Sequence, residues 1–376
     1  MMHDKYGNTY SLPDEFNQNF LVCGDSGSGK SYFDCRVIED AVKKGKRVVI
    51  PDFSESFTED CLNDNAFSVN ARLIVHDPLC KEWTWCCLYD NANVFCMDVA
   101  DALAEALEVS GRLQKAVLRE KFSEFVKGRE KISVSEFGKY LKDIYQTAKK
   151  NPRTDEEVET LKKIYERLQA MKCLNNFCIR NLENGNCEKR RGSVTVIQLS
   201  NLPKEEKKFL TIMTIELLWK EMKLADTKRH FDLLVLDEFQ HISRHASNTL
   251  KELFCQGRKK GLNVLLSTQF LTQYDSEDIN SFCQNGGIVA FKPASKDDLL
   301  FSTKLIINYF AFDGDMKQWM NILKTLETGV GIYAGKYCIN GKKRVYTEPF
   351  RCIVDKKMTE NFLRVIRNGG KCNGRN

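Results

Sequence analysis

Short apolar runs alternate with amphipathic stretches along the first part of the chain. The run Asn19 to Cys23 predicts a buried strand, and the segment Lys30 to Lys44 predicts an amphipathic helix that ends at a glycine. Two further apolar runs, Arg47 to Ile50 and Arg72 to His76, predict two more buried strands. This succession of strand, helix and strand is typical of a parallel sheet covered by helices.

From about Val94 to Asn175 the pattern changes to long helical periodicity. The segment is dense in lysine, arginine and glutamate, and its spacing predicts three or four helices. The apolar positions that carry this periodicity are Ala100, Leu103, Leu107, Phe122, Phe125, Tyr140, Ile144, Leu161, Ile164 and Leu168. We interpret residues 94–185 as a helical insertion in the α/β unit.

After the insertion the α/β rhythm resumes. The predicted elements are strands at Val194–Leu199, Leu233–Leu236, Val264–Ser267, Ile288–Phe291 and Val330–Tyr333, and helices at Lys204–Lys223 and Asn248–Lys260. The predicted fold is therefore an α/β core with a mostly parallel sheet. We assign residues 1–93 to the first part of this core, 186–355 to its remainder and 356–376 to a carboxyl-terminal tail.

The sharpest motif follows the first predicted strand and precedes the first predicted helix. It fits the phosphate-binding pattern G-x4-G-K-[ST]. Its members are Gly24, Asp25, Ser26, Gly27, Ser28, Gly29, Lys30 and Ser31. Glycines let backbone N–H groups turn inward around a β-phosphate, and the helix N-terminus adds partial positive charge. We expect Lys30 to reach the β- and γ-phosphates and the Ser31 hydroxyl to ligate Mg²⁺, which predicts ATP and Mg²⁺ as cofactors.

A phosphate-binding loop needs an acidic partner at the end of another buried strand. The run Leu233 to Leu236 is followed by Asp237 and Glu238. We expect Asp237 to hold the Mg²⁺ shell and Glu238 to polarise the attacking water, because the γ-phosphate needs an oriented nucleophile opposite the leaving oxygen. An adjacent Asp-Glu pair favours a hydrolase over a kinase.

A basic segment, Arg258 to Lys260, leads into the next predicted strand, which ends in Ser267, Thr268 and Gln269. A polar side chain at that strand end can hydrogen-bond the γ-phosphate or its water. Arg258 fits two interpretations. It is a candidate arginine finger for a neighbouring subunit's nucleotide, and it is equally a basic residue placed near a helix C-terminus for its dipole.

Taken in order, these motifs resemble the HerA/FtsK branch of RecA-like ATPases, which includes the ATPases of conjugation and type IV secretion. The resemblance covers roughly residues 8–60 and 190–335. It implies a homo-oligomeric ring, usually a hexamer, with ATP between subunits and double-stranded DNA in the central channel. On this resemblance Gln269 matches the sensor glutamine and Arg258 matches the candidate finger. Asp52 and Glu55 follow the second strand, where a functional acidic pair and a solvated pair account equally well for them.

Composition sets the remaining bounds. The 376 residues carry 57 Lys and Arg against 51 Asp and Glu, so the net charge of +6 permits a polyanionic partner without requiring one. The 15 cysteines are scattered and odd in number, which is unlike a secreted disulfide framework. No run is long and apolar enough for a transmembrane segment, and the first residues lack a signal-peptide layout. We therefore expect a cytoplasmic protein.

The function we infer from the sequence is ATP hydrolysis coupled to translocation on double-stranded DNA by a ring, with helicase activity as a related outcome. Two other hypotheses keep the ATPase and change its role. In one, the protein is a nucleotide-gated platform that activates a partner nuclease or another effector. In the other, it energises a conjugation or type IV secretion machine.

Overall fold

The computed structural model describes residues 2–4, 6, 8–11, 19–57, 72–87, 89, 91–150, 155–181, 192–224, 232–237, 247–274, 279, 282–283, 286–310, 315–341 and 345–353. The elements of the amino-terminal part are β1 (Met2–His3), β2 (Thr9–Ser11), β3 (Asn19–Cys23), α1 (Lys30–Lys43), β4 (Arg47–Asp52), β5 (Arg72–His76), β6 (Trp83–Cys87), α2 (Ala92–Ala106), α3 (Arg112–Val126), β7 (Lys131–Ser133), α4 (Val134–Lys150), α5 (Asp155–Ala170) and β8 (Phe177–Asn181). A short 3₁₀ helix, Lys172–Asn176, joins α5 to β8.

The elements of the carboxyl-terminal part are β9 (Ser193–Gln198), α6 (Lys204–Leu224), β10 (Asp232–Leu236), α7 (Ser247–Gln256), β11 (Leu262–Thr268), β12 (Gly286–Ala290), α8 (Lys296–Phe310), α9 (Met316–Lys324), β13 (Val330–Ala334), β14 (Tyr337–Ile339), β15 (Val345–Tyr346) and β16 (Phe350–Ile353). A 3₁₀ turn, Gly257–Lys260, lies between α7 and β11. Another, Leu271–Gln273, follows β11.

One large sheet organises the described part of the chain. Its strand order is β15-β14-β2-β1-β16-β13-β12-β3-β11-β10-β4-β9-β5. The seven strands from β12 to β5 are parallel and hold most of the paired residues, whereas the strands beyond β12 pair antiparallel. The α/β fold with a mostly parallel sheet is therefore confirmed. Its antiparallel extension contains the predicted strand β13 and also β1, β2, β14, β15 and β16, which the sequence pattern did not predict.

Side chains alternate between the two faces of the parallel strands, as the two-residue period of a strand requires. On β3, Phe20 and Val22 join the core beneath α1, while Leu21 and Cys23 join the core beneath α6 and α7. Because both faces are covered, the strands consist of nearly continuous apolar runs. This burial explains why β3 and β10 could be identified from hydropathy alone.

The segment predicted as a helical insertion contains α2, α3, α4 and α5, and it also contains strands. β6, β8 and β7 form a separate three-stranded sheet, with β6 and β8 parallel. Aromatic packing joins α3 to α4, where the ring centroid of Phe137 lies 5.1 Å from that of Phe122 and 5.3 Å from that of Phe125. The expectation of helices alone in residues 94–185 is corrected by β7 and β8, which lie inside that range, whereas β6 precedes it.

No helix in the described ranges has the length and apolar character needed to cross a membrane.

Candidate functional site

The carboxyl ends of five parallel strands meet at one edge of the large sheet. β3 leads there into Gly24, β11 into Gln269 and β10 into Asp237, while β4 and β9 end at Asp52 and Gln198. Neighbouring strands stay in register up to this edge, since Cys23 pairs with Thr268 and Asp52 pairs with Gln198. In parallel α/β sheets, ligands bind outside the carboxyl ends of the strands. The candidate site residues from distant parts of the sequence therefore lie on the edge where such a site is expected.

Glycine is required by the geometry of the loop that follows β3. Gly24, Gly27 and Gly29 have φ angles of 149°, 71° and 114°, in the region that L side chains rarely adopt. A Cβ atom on Gly24 would lie 2.6 Å from the Cβ of Phe291. The loop therefore packs too closely against the end of β12 for any side chain at Gly24.

Backbone hydrogen bonds from outside the loop hold it in place. The Asp25 N–H donates to the Lys292 carbonyl at 2.7 Å, and the Gly329 N–H donates to the Ser28 carbonyl at 2.9 Å. The Ser28 hydroxyl is buried and has no hydrogen-bond partner among the described residues. A buried hydroxyl without a partner is rare, and an anion seated in the loop would supply the missing acceptor.

Lys30 is the first residue of α1 and is only 6% exposed. Its Nζ donates to the carbonyls of Gly24 at 2.9 Å and Asp25 at 3.0 Å, so the ammonium group folds back over the loop. A cation at a helix N-terminus is unfavourable unless an anion or acceptors lie beside it. The loop glycines, the helix N-terminus and this cation together fit a phosphate group.

Asp237 lies one residue beyond β10 and is 3% exposed. Its Oδ2 accepts a hydrogen bond of 2.9 Å from the Ser54 hydroxyl in the turn after β4. A carboxylate and the Ser31 hydroxyl are oxygen donors of the kind that Mg²⁺ prefers. The donor chemistry at this edge therefore fits a magnesium ion. The described ranges contain no cluster of three or more His, Cys, Asp or Glu side chains that could hold a metal.

Asp52 is fully buried and organises the turn that follows β4. Its carboxylate accepts from the backbone N–H groups of Ser54, Ser56 and Phe57 and from the side-chain amide of Gln198. Burial raises the pKa of Asp52, and these four hydrogen bonds oppose the rise. The contacts identify Asp52 as a buried support of the turn, so the interpretation of Asp52 as a solvated acid is wrong.

Glu55, by contrast, is exposed and adopts a φ of 60°, which is uncommon for a residue with a side chain. The Ser200 hydroxyl donates to its Oε1 at 2.7 Å. The Glu55 carboxylate is therefore oriented toward the segment that follows β9.

Asp34 is a buried acid that the sequence analysis missed. It lies on the inner face of α1 and is 0% exposed, with the Ser267 hydroxyl beside its carboxyl group. Burial first, and then the Asp237 carboxylate, raise the pKa of Asp34 well above its ordinary value, while Ser267 and Lys30 oppose the rise. The apolar periodicity of α1 gave no signal for this group, since an acid at a buried helix position breaks that pattern.

The remaining predicted site residues are distributed unevenly. Gln269 follows β11 at the carboxyl edge and is half-buried, whereas Glu238 lies outside the described residues. Arg258 lies in the 3₁₀ turn that precedes β11, at the opposite end of that strand. Seven residues at about 3.3 Å each separate the two ends by roughly 20 Å. The fold therefore does not bring the backbone of Arg258 to the candidate site of its own chain.

A family model described as the central domain of helicase HerA matches residues 13–218, which is more than half of the chain. A search of curated protein sequences gave no match.

Solved structures match along most of the chain. VirB4 of Thermoanaerobacter pseudethanolicus superposes with a TM-score of 0.60 at 15% identity, covering 94% of this chain and 92% of VirB4. The plasmid coupling protein TrwB with a non-hydrolysable ATP analogue gives a TM-score of 0.58 at 14% identity, covering 88% and 84%. TrwB in complex with ADP and Mg²⁺ gives 0.57 at 13% identity, covering the same shares. At these identities the likeness shows a shared fold. The chain thus belongs to the helicase HerA central-domain family and is a P-loop NTPase with a RecA-like fold.

Proposed function

We propose that this protein is a ring-forming ATPase of the HerA/FtsK type that acts in the cytoplasm and couples ATP hydrolysis to movement along double-stranded DNA. The observation that carries the proposal is the meeting of the glycine loop, the buried Lys30 and Asp237 at one edge of the sheet. The similarity to TrwB, solved with ADP and Mg²⁺, supports the same cofactors here.

Each site residue has one task in nucleotide binding or hydrolysis. The loop N–H groups and Lys30 bind the phosphates, while Ser31 and Asp237 would hold Mg²⁺. The ion would neutralise phosphate charge when bound. Glu238 orients the attacking water and accepts its proton, and Gln269 hydrogen-bonds the γ-phosphate end of the site.

The role proposed for Arg258 involves a second copy of the chain. Its backbone lies about 20 Å along β11 from the edge that holds the loop. We propose that Arg258 completes the site of a neighbouring subunit, as the head-to-tail contacts of a ring allow. A hexamer is the ring size that the family resemblance favours.

Mixing two inactive variants tests this arrangement. Lys30→Ala and Arg258→Ala should each abolish turnover, whereas a mixed assembly restores sites in which intact Lys30 faces intact Arg258. Random mixing at equal amounts gives about a quarter of the sites this composition. We expect turnover to return toward that fraction. No recovery would contradict the neighbouring-subunit role. Lys259→Ala, one residue along the same turn, is the matched control and should stay active.

DNA coupling is tested on the unmodified protein. ATP turnover measured with and without linear double-stranded DNA should rise strongly with DNA, and the assembly mass in the same buffer should equal that of a ring. DNA-independent turnover from a monomer would contradict the motor proposal while leaving the ATPase intact.

A second candidate is the energising ATPase of a conjugation or type IV secretion machine. The structural likeness to the coupling protein TrwB and to VirB4 favours it. Co-purification with inner-membrane channel subunits, together with turnover that ignores DNA, would support this candidate. Co-purification with a nuclease would support the platform hypothesis.

A further inference from the structure

The turn after β4 contains a serine whose position suggests a role in the site. Ser54 is exposed, yet its hydroxyl lies 2.9 Å from Oδ2 of the buried Asp237, which is 183 residues away in the sequence. Nothing in the sequence pattern marks this residue. The contact depends on β4 lying next to β10 in the sheet, with Val49 paired to Leu234.

The buried acid Asp52 holds the turn in place through hydrogen bonds to its backbone. The Asp52 carboxylate accepts from the Ser54 N–H at 3.1 Å, the Ser56 N–H at 3.3 Å and the Phe57 N–H at 3.0 Å. Since Asp52 is 0% exposed, solvent does not compete for these bonds. The backbone that carries Ser54 is therefore held at a defined place relative to β4.

The directions of the hydrogen bonds between the hydroxyl groups follow from the number of protons that each group can donate. Ser54 Oγ also lies 2.7 Å from Ser56 Oγ, and each hydroxyl has a single proton to donate. The Asp237 carboxylate only accepts, so the Ser54 proton goes to Asp237 and the Ser56 hydroxyl donates to Ser54. Accepting a bond from Ser56 strengthens the bond that Ser54 donates.

We propose that Ser54 is a positioning residue for Asp237, holding its carboxylate in the orientation that ligates Mg²⁺. This inference rests on the proposed function, in which Asp237 is a metal ligand. Groups that orient a ligating carboxylate change metal affinity by about 10- to 100-fold when they are removed. Because Ser54 is exposed and water can replace its hydroxyl in part, we expect the lower end, about 10-fold.

The test measures metal dependence of nucleotide binding, without turnover. A fluorescent ADP derivative is titrated onto the full chain in EDTA and then at rising Mg²⁺, which gives a metal-free affinity and a Mg²⁺ concentration for half-maximal enhancement. Ser54→Ala should raise that Mg²⁺ concentration about 10-fold and leave the metal-free affinity unchanged. Ser54→Thr keeps a hydroxyl and should behave as the unmodified protein does.

Ser56→Ala is the matched control, because it removes a hydroxyl from the same turn that does not touch Asp237. Its Mg²⁺ requirement should rise much less than that of Ser54→Ala, because the Ser54 hydroxyl still donates to Asp237. Equal values for Ser54→Ala and Ser56→Ala would overturn the inference, as would a Ser54→Ala loss of metal-free affinity by the same factor. If the unmodified protein binds ADP with no Mg²⁺ dependence, the proposed magnesium site itself fails, and the role of Ser54 fails with it.

Discussion

Replacing Arg47 with leucine should destabilise the fold strongly without disturbing the nucleotide site. Arg47 is the first residue of β4, at the end of the strand opposite to Asp52. Its guanidinium lies 2.6 Å from the Asp232 carboxylate and 3.5 Å from the Glu221 carboxylate. All three side chains are buried, so the triad joins β4, β10 and α6 beneath the surface.

The size of the destabilisation follows from the buried carboxylates that the substitution would leave without a counter-charge. Burial disfavours the guanidinium, but the carboxylates of Asp232 and then Glu221 outweigh it and raise the pKa of Arg47. Two unit charges 4 Å apart interact by about 4 kcal/mol at an effective dielectric of 20, before desolvation is subtracted. Removing one partner from a buried ion pair costs about 3–5 kcal/mol because a charge stays buried and unpaired. We expect Arg47→Leu to lose about 4 kcal/mol.

Urea unfolding at neutral pH measures this loss, with Arg36→Leu as the matched control. Arg36 pairs with Glu39 at 3.4 Å on α1, but its side chain is 30% exposed. A half-buried i,i+3 pair on one helix contributes less than about 1 kcal/mol. A loss below about 1 kcal/mol for Arg47→Leu, or a loss equal to that of Arg36→Leu, would refute the reasoning. ADP binding by the folded Arg47→Leu protein should be unchanged.

Gly24→Ala should weaken binding of fluorescent ADP, because the new Cβ would meet the Phe291 Cβ at 2.6 Å and strain of about 1–3 kcal/mol would shift the loop. Gly45→Ala, also at positive φ but in open space, should leave that binding intact. Glu238→Gln should bind ATP and lower turnover by at least about 100-fold in a phosphate-release assay; near-normal turnover would show that Glu238 is not the base. Asp34→Asn should remove a pH-dependent destabilisation of the folded protein. In the unmodified protein this destabilisation grows by about 1.4 kcal/mol per pH unit, as the pH rises from the pKa of Asp34 in the unfolded chain toward its raised pKa in the folded protein. Urea unfolding across pH checks this, and parallel stability curves for the two proteins would contradict it.

Local sequence was sufficient wherever one short segment determines both structure and chemistry. Asn19–Cys23 and Arg72–His76 are strands with the predicted bounds, because strands buried on both faces are continuous apolar runs. The loop between Gly24 and Ser31 needs glycine at fixed positions, so its motif is readable before any tertiary contact is known. The placement of Asp237 at the same edge followed from parallel strand order.

Tertiary contacts decided what the sequence did not predict. The Trp83–Cys87 strand pairs with Phe177–Asn181 across residues 88–176, whose described part is mostly helical, so its short pattern carried no clear period. Apart from β13, which was predicted, the strands of the antiparallel extension are two to four residues long, which is too short for an alternating pattern to be recognised. Ser54 and Asp34 acquire their neighbours only when β4 and α1 pack beside β10.

The most direct test of the central claim is Mg²⁺-dependent ATP turnover by the purified chain beside its Lys30→Ala variant, with both proteins shown to be folded by the same thermal unfolding curve. The account predicts turnover by the unmodified protein and none by Lys30→Ala, because the buried ammonium group is the cation that holds the phosphates. Equal turnover by the two proteins would contradict the assignment of this loop as the nucleotide site.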